Sequence, residues 1–341
     1  DNMIRQQKKM GLSYDWNRLV QTCSPDYYRW TQYLFEVFYK RGLAYKKKAT
    51  ANWCDSCKTV LANEQVIDGR CWRCDSPVIK KDLNQWFLKI TDYADELLKD
   101  LEKLPGWPNR VKIMQDNWIG RSEGSEINFR IPDFDEQVTV YTTRPDTSFG
   151  ISYIVLAAEH PLADKLIKGY KDEAKIRSFI DRIHNQSEIE RTSDKSEKEG
   201  IFTGAYAVNP FNGQRVPIWI ANYVLFEYGT GAVMGVPAHD SRDYMFSEKY
   251  GLDKKIVITD KDNSLTLDSM TDAYTDDGIL INSGEFNGMK NRDAIPAMID
   301  WLEKNKFGKR RINYRLRDWL ISRQRYWGAP IPVIYCEKCG T

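Results

Sequence analysis

Two C-x-x-C turns, Cys54-Asp55-Ser56-Cys57 and Cys71-Trp72-Arg73-Cys74, stand with thirteen residues between their inner cysteines. Two such knuckles supply four thiolates at the spacing that one tetrahedral zinc ion takes, and a closed four-thiolate site is structural because it leaves no position for a reacting water. The flanking sequence is short and polar, so metal binding is expected to supply much of its folding free energy. Seven cysteines in all, one lone Cys23 and three C-x-x-C pairs, read as metal binding rather than disulfides. The third pair, Cys336 and Cys339, has no companion pair in the sequence and reads as a possible half-site for a second metal.

Composition excludes some classes. With 42% hydrophobic and 29% charged residues the 341-residue chain is that of a globular protein with room for two or three domains. No run of eighteen apolar residues and no signal-like segment occur, so the expectation is a cytoplasmic protein without a membrane partner. A net charge of +2 decides nothing about nucleic acid, although Lys46-Lys47-Lys48 and Arg315 to Arg325 are locally basic. The chain opens on Asp1-Asn2-Met3 and closes just after a C-x-x-C, and is expected to be a fragment.

Taken in order, residues 1–45 read as helical, with Ser24-Pro25-Asp26 as a helix start. Residues 46–82 are the zinc-binding module, and 83–122 a connecting helix and linker whose apolar face is Tyr93, Leu97, Leu98, Leu101 and Leu104. Residues 123–309 form a second domain. There Ile127, Phe129 and Ile131 alternate as a half-buried strand, and 151–158 is an apolar run of buried-strand length. Further strands are expected near 216–226, 231–236 and 256–259, helices near 161–169, 171–184 and 292–306, and a polar loop over 186–200. Asp240 is placed to cap a helix. The fold class is therefore α+β, with a β-barrel-like domain carrying helices on its outside. Residues 310–341 change character again.

Two stretches draw attention as a pocket: Tyr141-Thr142-Thr143-Arg144-Pro145-Asp146-Thr147, a strand running into a turn, and Tyr228 to Asp243, a glycine-rich loop, a short apolar strand and an acidic helix start. Neither holds an evident nucleophile. Tyr141 to Thr147, Tyr228 to Asp243 and Arg315 to Pro332 resemble bacterial-type leucyl-tRNA synthetases, as do Asn52 to Cys74 and Asn117 to Gly124. The likeness spans essentially the whole chain. Synthetases for isoleucine and valine share the architecture, but they lack the G-A-V-M-G-V-P-A-H-D-S-R-D-Y form.

The resemblance implies an interrupted class I Rossmann domain, of which helical and strand pieces are present here. It also implies a zinc module and an inserted editing domain that hydrolyses mischarged tRNA(Leu). The whole enzyme would join leucine to tRNA(Leu) with ATP and Mg2+; the H-I-G-H and K-M-S-K-S signatures that handle ATP do not occur in this sequence. By the same resemblance Thr147 excludes the leucine side chain and Asp243 grips the α-ammonium. Thr142 and Thr143 hydrogen-bond the ester and the attacking water, and Tyr228, Met234, Val236 and His239 line the pocket. Arg144 and Arg242 pair with terminal phosphates or with nearby carboxylates. His239 is open to two readings, general base or a residue that holds its loop. Ser148 departs from the family, where a larger apolar residue is common. The implied partner is the 3′ end of tRNA(Leu) carrying a non-cognate amino acid, the cofactor is structural Zn2+, and the protein is expected to be a monomer. The alternatives are an isoleucyl- or valyl-tRNA synthetase editing fragment and a non-catalytic tRNA-docking module.

Overall fold

The computed structural model describes residues 2–61, 65–67, 69–184, 186, 191, 197–226, 229–322 and 328–341. Tyr228, most of the 186–200 segment and Arg323 to Trp327 lie outside the described residues. Contacts divide the chain into two compact units: residues 1–66, 71–93 and 318–341 form one, and 67–70 with 94–317 the other.

The first unit is built on an antiparallel sheet. Its strands are β1 (Ala44–Cys54), β2 (Thr59–Leu61), β5 (Val78–Leu88) and β15 (Trp319–Leu320), in the order β15-β5-β1-β2; Val66–Ile67 (β3) and Arg70–Cys71 (β4) are two-residue strands. β1 and β5 pair along their full length, from Ala44 opposite Leu88 to Cys54 opposite Val78. The helix Pro25–Lys40 packs Phe35 edge-on against Trp86, with ring centroids 5.1 Å apart. Asp318 ties the unit together: one carboxylate oxygen accepts from the Tyr45 hydroxyl at 2.7 Å and the other from the amide and hydroxyl of Thr91. The lysines of 46–48 and 80–81, which the sequence reading leaves within a polar module, are strand residues of this ladder. Lys47 sits over the Phe87 ring and Lys81 over Trp53, so stem and head groups lie on aromatic faces rather than in a loop.

The single helix expected after residue 88 is also corrected. The chain makes a short 3-10 turn at Ile90–Tyr93, a helix at Ala94–Asp100, and, after Pro105-Gly106, a second helix at Asn109–Ile119. Tyr93 and Leu97 stay exposed. No linker follows: Gly120 caps the helix in the left-handed conformation and a strand begins at the next residue.

The second unit is the expected α+β barrel. Its strands are β6 (Arg121–Ile131), β7 (Glu136–Thr142), β8 (Tyr153–Leu156), β9 (Gly200–Val208), β10 (Arg215–Ala221), β11 (Ala232–Gly235) and β14 (Gly308–Tyr314). The ladder runs β11-β8-β10-β9-β6, and β6 carries β7 on one side and β14 on the other. β7 and β11 come back within 8 Å of each other between Cα atoms without a hydrogen-bonded ladder, so the sheet curls round on itself. A two-stranded ribbon, β12 (Ile258–Thr259) with β13 (Ile279–Leu280), lies beside it in the chain order.

Period two decides which residues fill the barrel. Ile127, Phe129 and Ile131 from β6, Val138 and Val140 from β7, and Ile154 and Leu156 from β8 join one core, closed by the helices Pro161–Ile167, Glu173–His184 and Asn291–Lys304. The alternate residues of β8, Tyr153 and Val155, point to a second cluster with Phe246 of the helix Ser241–Tyr250. Burial on both faces is why 151–158 reads as an unbroken apolar run.

Candidate active site and metal centre

The turn after β7 is held by its own side chains. Thr142 Oγ1 accepts from the Arg144 amide at 3.0 Å, and Thr147 donates its hydroxyl to the Arg144 carbonyl at 2.8 Å. The Arg144 guanidinium closes on the Asp146 carboxylate, Nε to Oδ1 at 3.0 Å and Nη2 to Oδ2 at 2.9 Å, and Asn291 Nδ2 adds a bond to Oδ2 at 3.1 Å. Asp146 and Ser148 are fully buried and Thr147 nearly so, whereas Thr143 is exposed. Arg144 thus pairs with a carboxylate of its own turn.

The second stretch meets the first through its strand. Met234 and Val236 belong to the barrel core, and the Ser148 hydroxyl contacts Met234 Sδ at 3.8 Å. Ser148 therefore places a small polar group directly against Met234. Gly235 lies over the Tyr153 ring, where an added Cβ would come within 2.3 Å, so no larger residue fits at that crossing.

His239 holds its loop. Nε2 accepts from the amides of Val257 at 2.9 Å and Ile258 at 3.2 Å, which leaves Nδ1 as the protonated nitrogen donating to the Tyr274 carbonyl at 3.0 Å. Burial first, and then the nearby Arg144 charge, push its pKa down to about 4. With both nitrogens engaged, the geometry disfavours the general-base reading.

Asp240 accepts from the amides of Arg242 and Asp243 and starts the helix as expected. Asp243 lies in the first turn but turns inward. Its Oδ1 accepts from the Tyr153 hydroxyl at 3.1 Å and its Oδ2 from the Val236 amide at 2.8 Å. Burial, with the neighbouring Asp240 charge, raises it to about 7. Tyr153 faces the outer cluster while Met234 and Val236 face the barrel core, and Asp243 fastens the end of β11 through the Tyr153 hydroxyl and the Val236 amide. Arg242 is exposed.

In the first unit the four sulfurs of Cys54, Cys57, Cys71 and Cys74 all lie within 4.8 Å of one another. Cys54 and Cys74 are 3.4 Å apart and Cys57 and Cys71 4.0 Å. These values bracket the ~3.8 Å edge of a tetrahedron with ~2.3 Å metal–sulfur bonds. The Cys57 amide points at Cys54 Sγ, 3.3 Å away, which stabilises a thiolate there. Cys74 is lowered to about 6 by Ser76, and Cys57 is pushed up to about 12 by Cys74 and burial, the pattern of crowded thiols that a shared cation relieves. Cys336 and Cys339 form an exposed knuckle with a Cys339 amide to Cys336 Sγ contact at 3.4 Å; no further ligand stands with them among the described residues.

Comparison with known proteins follows the same division. The family described as "Leucyl-tRNA synthetase, editing domain" matches residues 116–303, and "tRNA synthetases class I (I, L, M and V)" matches 1–127 and 289–341. The chain belongs to the leucyl-tRNA synthetase family. It is 58% identical to the leucine–tRNA ligase of Oleidesulfovibrio alaskensis over 341 residues, which is 100% of this chain and 41% of the relative. It is 57% identical to that of Symbiobacterium thermophilum, covering 99% of this chain and 40% of the relative. A solved ternary complex of Agrobacterium radiobacter K84 agnB2 LeuRS, tRNA and LeuAMS superposes with a TM-score of 0.75 at 40% identity, over 99% of this chain and 38% of that one. The chain thus spans about two fifths of the length of the relatives it matches.

Within this synthetase fragment, sequence reasoning passed over Asp146, Asn291 and Tyr153 as working residues. Asp146 stands two residues from Arg144 and was visible as a charge pair; Asn291 and Tyr153 lie far along the chain and gave no local signal. Among the described residues no helix is long and apolar enough to cross a membrane.

Protonating His239 Nε2 breaks two amide contacts. A histidine whose folded pKa lies below the unfolded value of 6.5 contributes stability above that value and loses it as pH falls toward 4. Thermal or urea unfolding from pH 7 to pH 4 should show a loss on the order of 3 kcal/mol from this group. His239→Gln, which keeps an acceptor but does not titrate, should lower the pH 7 stability and flatten the slope across that window; an unchanged slope would remove His239 from the account.

Proposed function

We propose that the barrel unit hydrolyses the ester of mischarged tRNA(Leu). One methylene in an apolar synthetic pocket is worth only ~1–3 kcal/mol, so near-leucine amino acids reach the tRNA and a second site must remove them. The observation that carries the reading is the locked turn: the Thr147 hydroxyl is fixed on the Arg144 carbonyl, so its β-branched side chain has one rotamer and acts as a rigid stop against leucine.

The other roles are those the resemblance implies. Asp243 grips the α-ammonium, and a cation at that carboxylate favours its ionised form. Thr142 and the exposed Thr143 orient the ester and the water, and Met234 and Val236 line the pocket. His239 fixes the loop. An aminoacyl ester is already activated, so orientation and stabilisation of the developing oxyanion suffice without a side-chain base.

The four-cysteine cluster holds a structural Zn2+, which leaves no open coordination position for chemistry. The whole enzyme is a cytoplasmic, monomeric leucine–tRNA ligase that uses ATP and Mg2+. The 3′ end of tRNA(Leu) is the partner of this fragment, a reading supported by the tRNA in the complex of the Agrobacterium relative.

Deacylation of norvalyl- and isoleucyl-tRNA(Leu) tests this directly. Wild type should release the non-cognate amino acid and spare leucyl-tRNA(Leu), and Thr147→Ala should hydrolyse leucyl-tRNA(Leu) at least roughly tenfold faster than wild type. Binding without hydrolysis would leave a docking module in place of an enzyme. Elemental analysis should find about one zinc per chain, and Cys71→Ser should lose it; a metal-free wild type would contradict the zinc assignment.

A further inference from the structure

Opposed residues on β6 and β7 form a column inside the barrel: Phe129 faces Val138, Ile127 faces Val140, and Ser125 faces Thr142. Directly opposite residues of an antiparallel pair share a sheet face. The first four side chains belong to the apolar core, and the column then changes to two hydroxyls where β7 turns into Thr143-Arg144-Pro145. Ser125 has no solvent exposure, and its Oγ has no hydrogen-bond partner among the described residues. An orphaned buried hydroxyl is destabilising, and native structures resolve such groups with a partner or an ordered water.

Among the described residues no group hydrogen-bonds Ser125 Oγ from across the ladder. Thr142 Oγ1 already accepts from the Arg144 amide, although its hydroxyl proton is still available to a ligand. Cβ atoms of directly opposed residues stand ~4.5–5.5 Å apart, a separation that one water bridges between two hydroxyls. The approach of the strands is enforced next door: an added Cβ at Gly124 would meet the Thr142 carbonyl oxygen at 2.1 Å and Thr143 Cα at 3.1 Å.

We propose that Ser125 is a positioning residue of the editing reaction, its hydroxyl and that of Thr142 holding the water that hydrolyses the ester. The inference rests on the hydrolytic reading above. The water oxygen bonds to the ester carbonyl carbon, the bond from that carbon to the ribose oxygen breaks, and the water's proton ends on the ribose oxygen. Ser125 accepts from or donates to the water and forms no bond to the substrate. Its place beside Thr142, at the base of the turn that carries Thr147, puts the water next to the residue that sorts the amino acid.

A high-resolution crystal structure of the unliganded chain, with steady-state deacylation of norvalyl-tRNA(Leu) by wild type and Ser125→Ala, tests the proposal. The structure should show one water within hydrogen-bond distance of both hydroxyls. Ser125→Ala should lower kcat by roughly ten- to a hundredfold with KM unchanged, and should not raise the melting temperature. If Ser125 is only an orphaned core hydroxyl, the site is dry, kcat is unchanged and alanine raises the melting temperature; that result overturns the proposal. Should wild type itself fail to hydrolyse the ester, the hydrolytic reading falls, and a dry site in the crystal then overturns the water site as well.

Discussion

A carboxylate without solvent exposure, Asp146, organises the turn after β7. Taking such a charge out of water costs several kcal/mol, and only a well-formed set of donors offsets it. Here the guanidinium of Arg144 supplies three contacts and the Asn291 amide a fourth. The consequence runs through the backbone. With its side chain fixed on Asp146, Arg144 presents its amide to Thr142 and its carbonyl to Thr147, so one buried ion pair fixes both threonines. Because Asn291 opens the helix that closes the barrel core, the pair also joins the turn to the body of the unit. The arginine is therefore spent on geometry.

The second stretch is fastened by the same kind of device. His239 ties its loop to the amides of Val257 and Ile258, and Asp243 ties the helix to Tyr153 and to the amide of Val236. Histidine and aspartate look like catalytic residues in a sequence; in this fold both anchor backbone, His239 at Val257, Ile258 and Tyr274 and Asp243 at Val236.

Much of the organisation was legible. The paired C-x-x-C turns gave the metal cluster, the alternation of Ile127, Phe129 and Ile131 gave a barrel strand, and Asp240 was found capping its helix. What escaped depends on partners distant in sequence. The lysine runs in β1 and β5 carry no strand signal of their own; their conformation comes from pairing across more than twenty residues of intervening knuckle and from aromatic faces that cover the lysine stems. The helical run ends before Pro105-Gly106, where the sequence reading ended it, but the second helix at Asn109–Ile119 was not anticipated. Ser125 and Asn291 carry no local mark at all; their meaning appears only once Thr142 and Asp146 stand beside them.

The central claim is that this unit sorts amino acids by fit before any chemistry. Calorimetric binding of non-hydrolysable amide analogues of 3′-aminoacyl-adenosine isolates that step. The account predicts that the norvaline analogue binds at least roughly tenfold more tightly than the leucine analogue, the scale of a methylene-sized clash. Equal affinity for the two would show that Thr147 excludes nothing and would contradict the account.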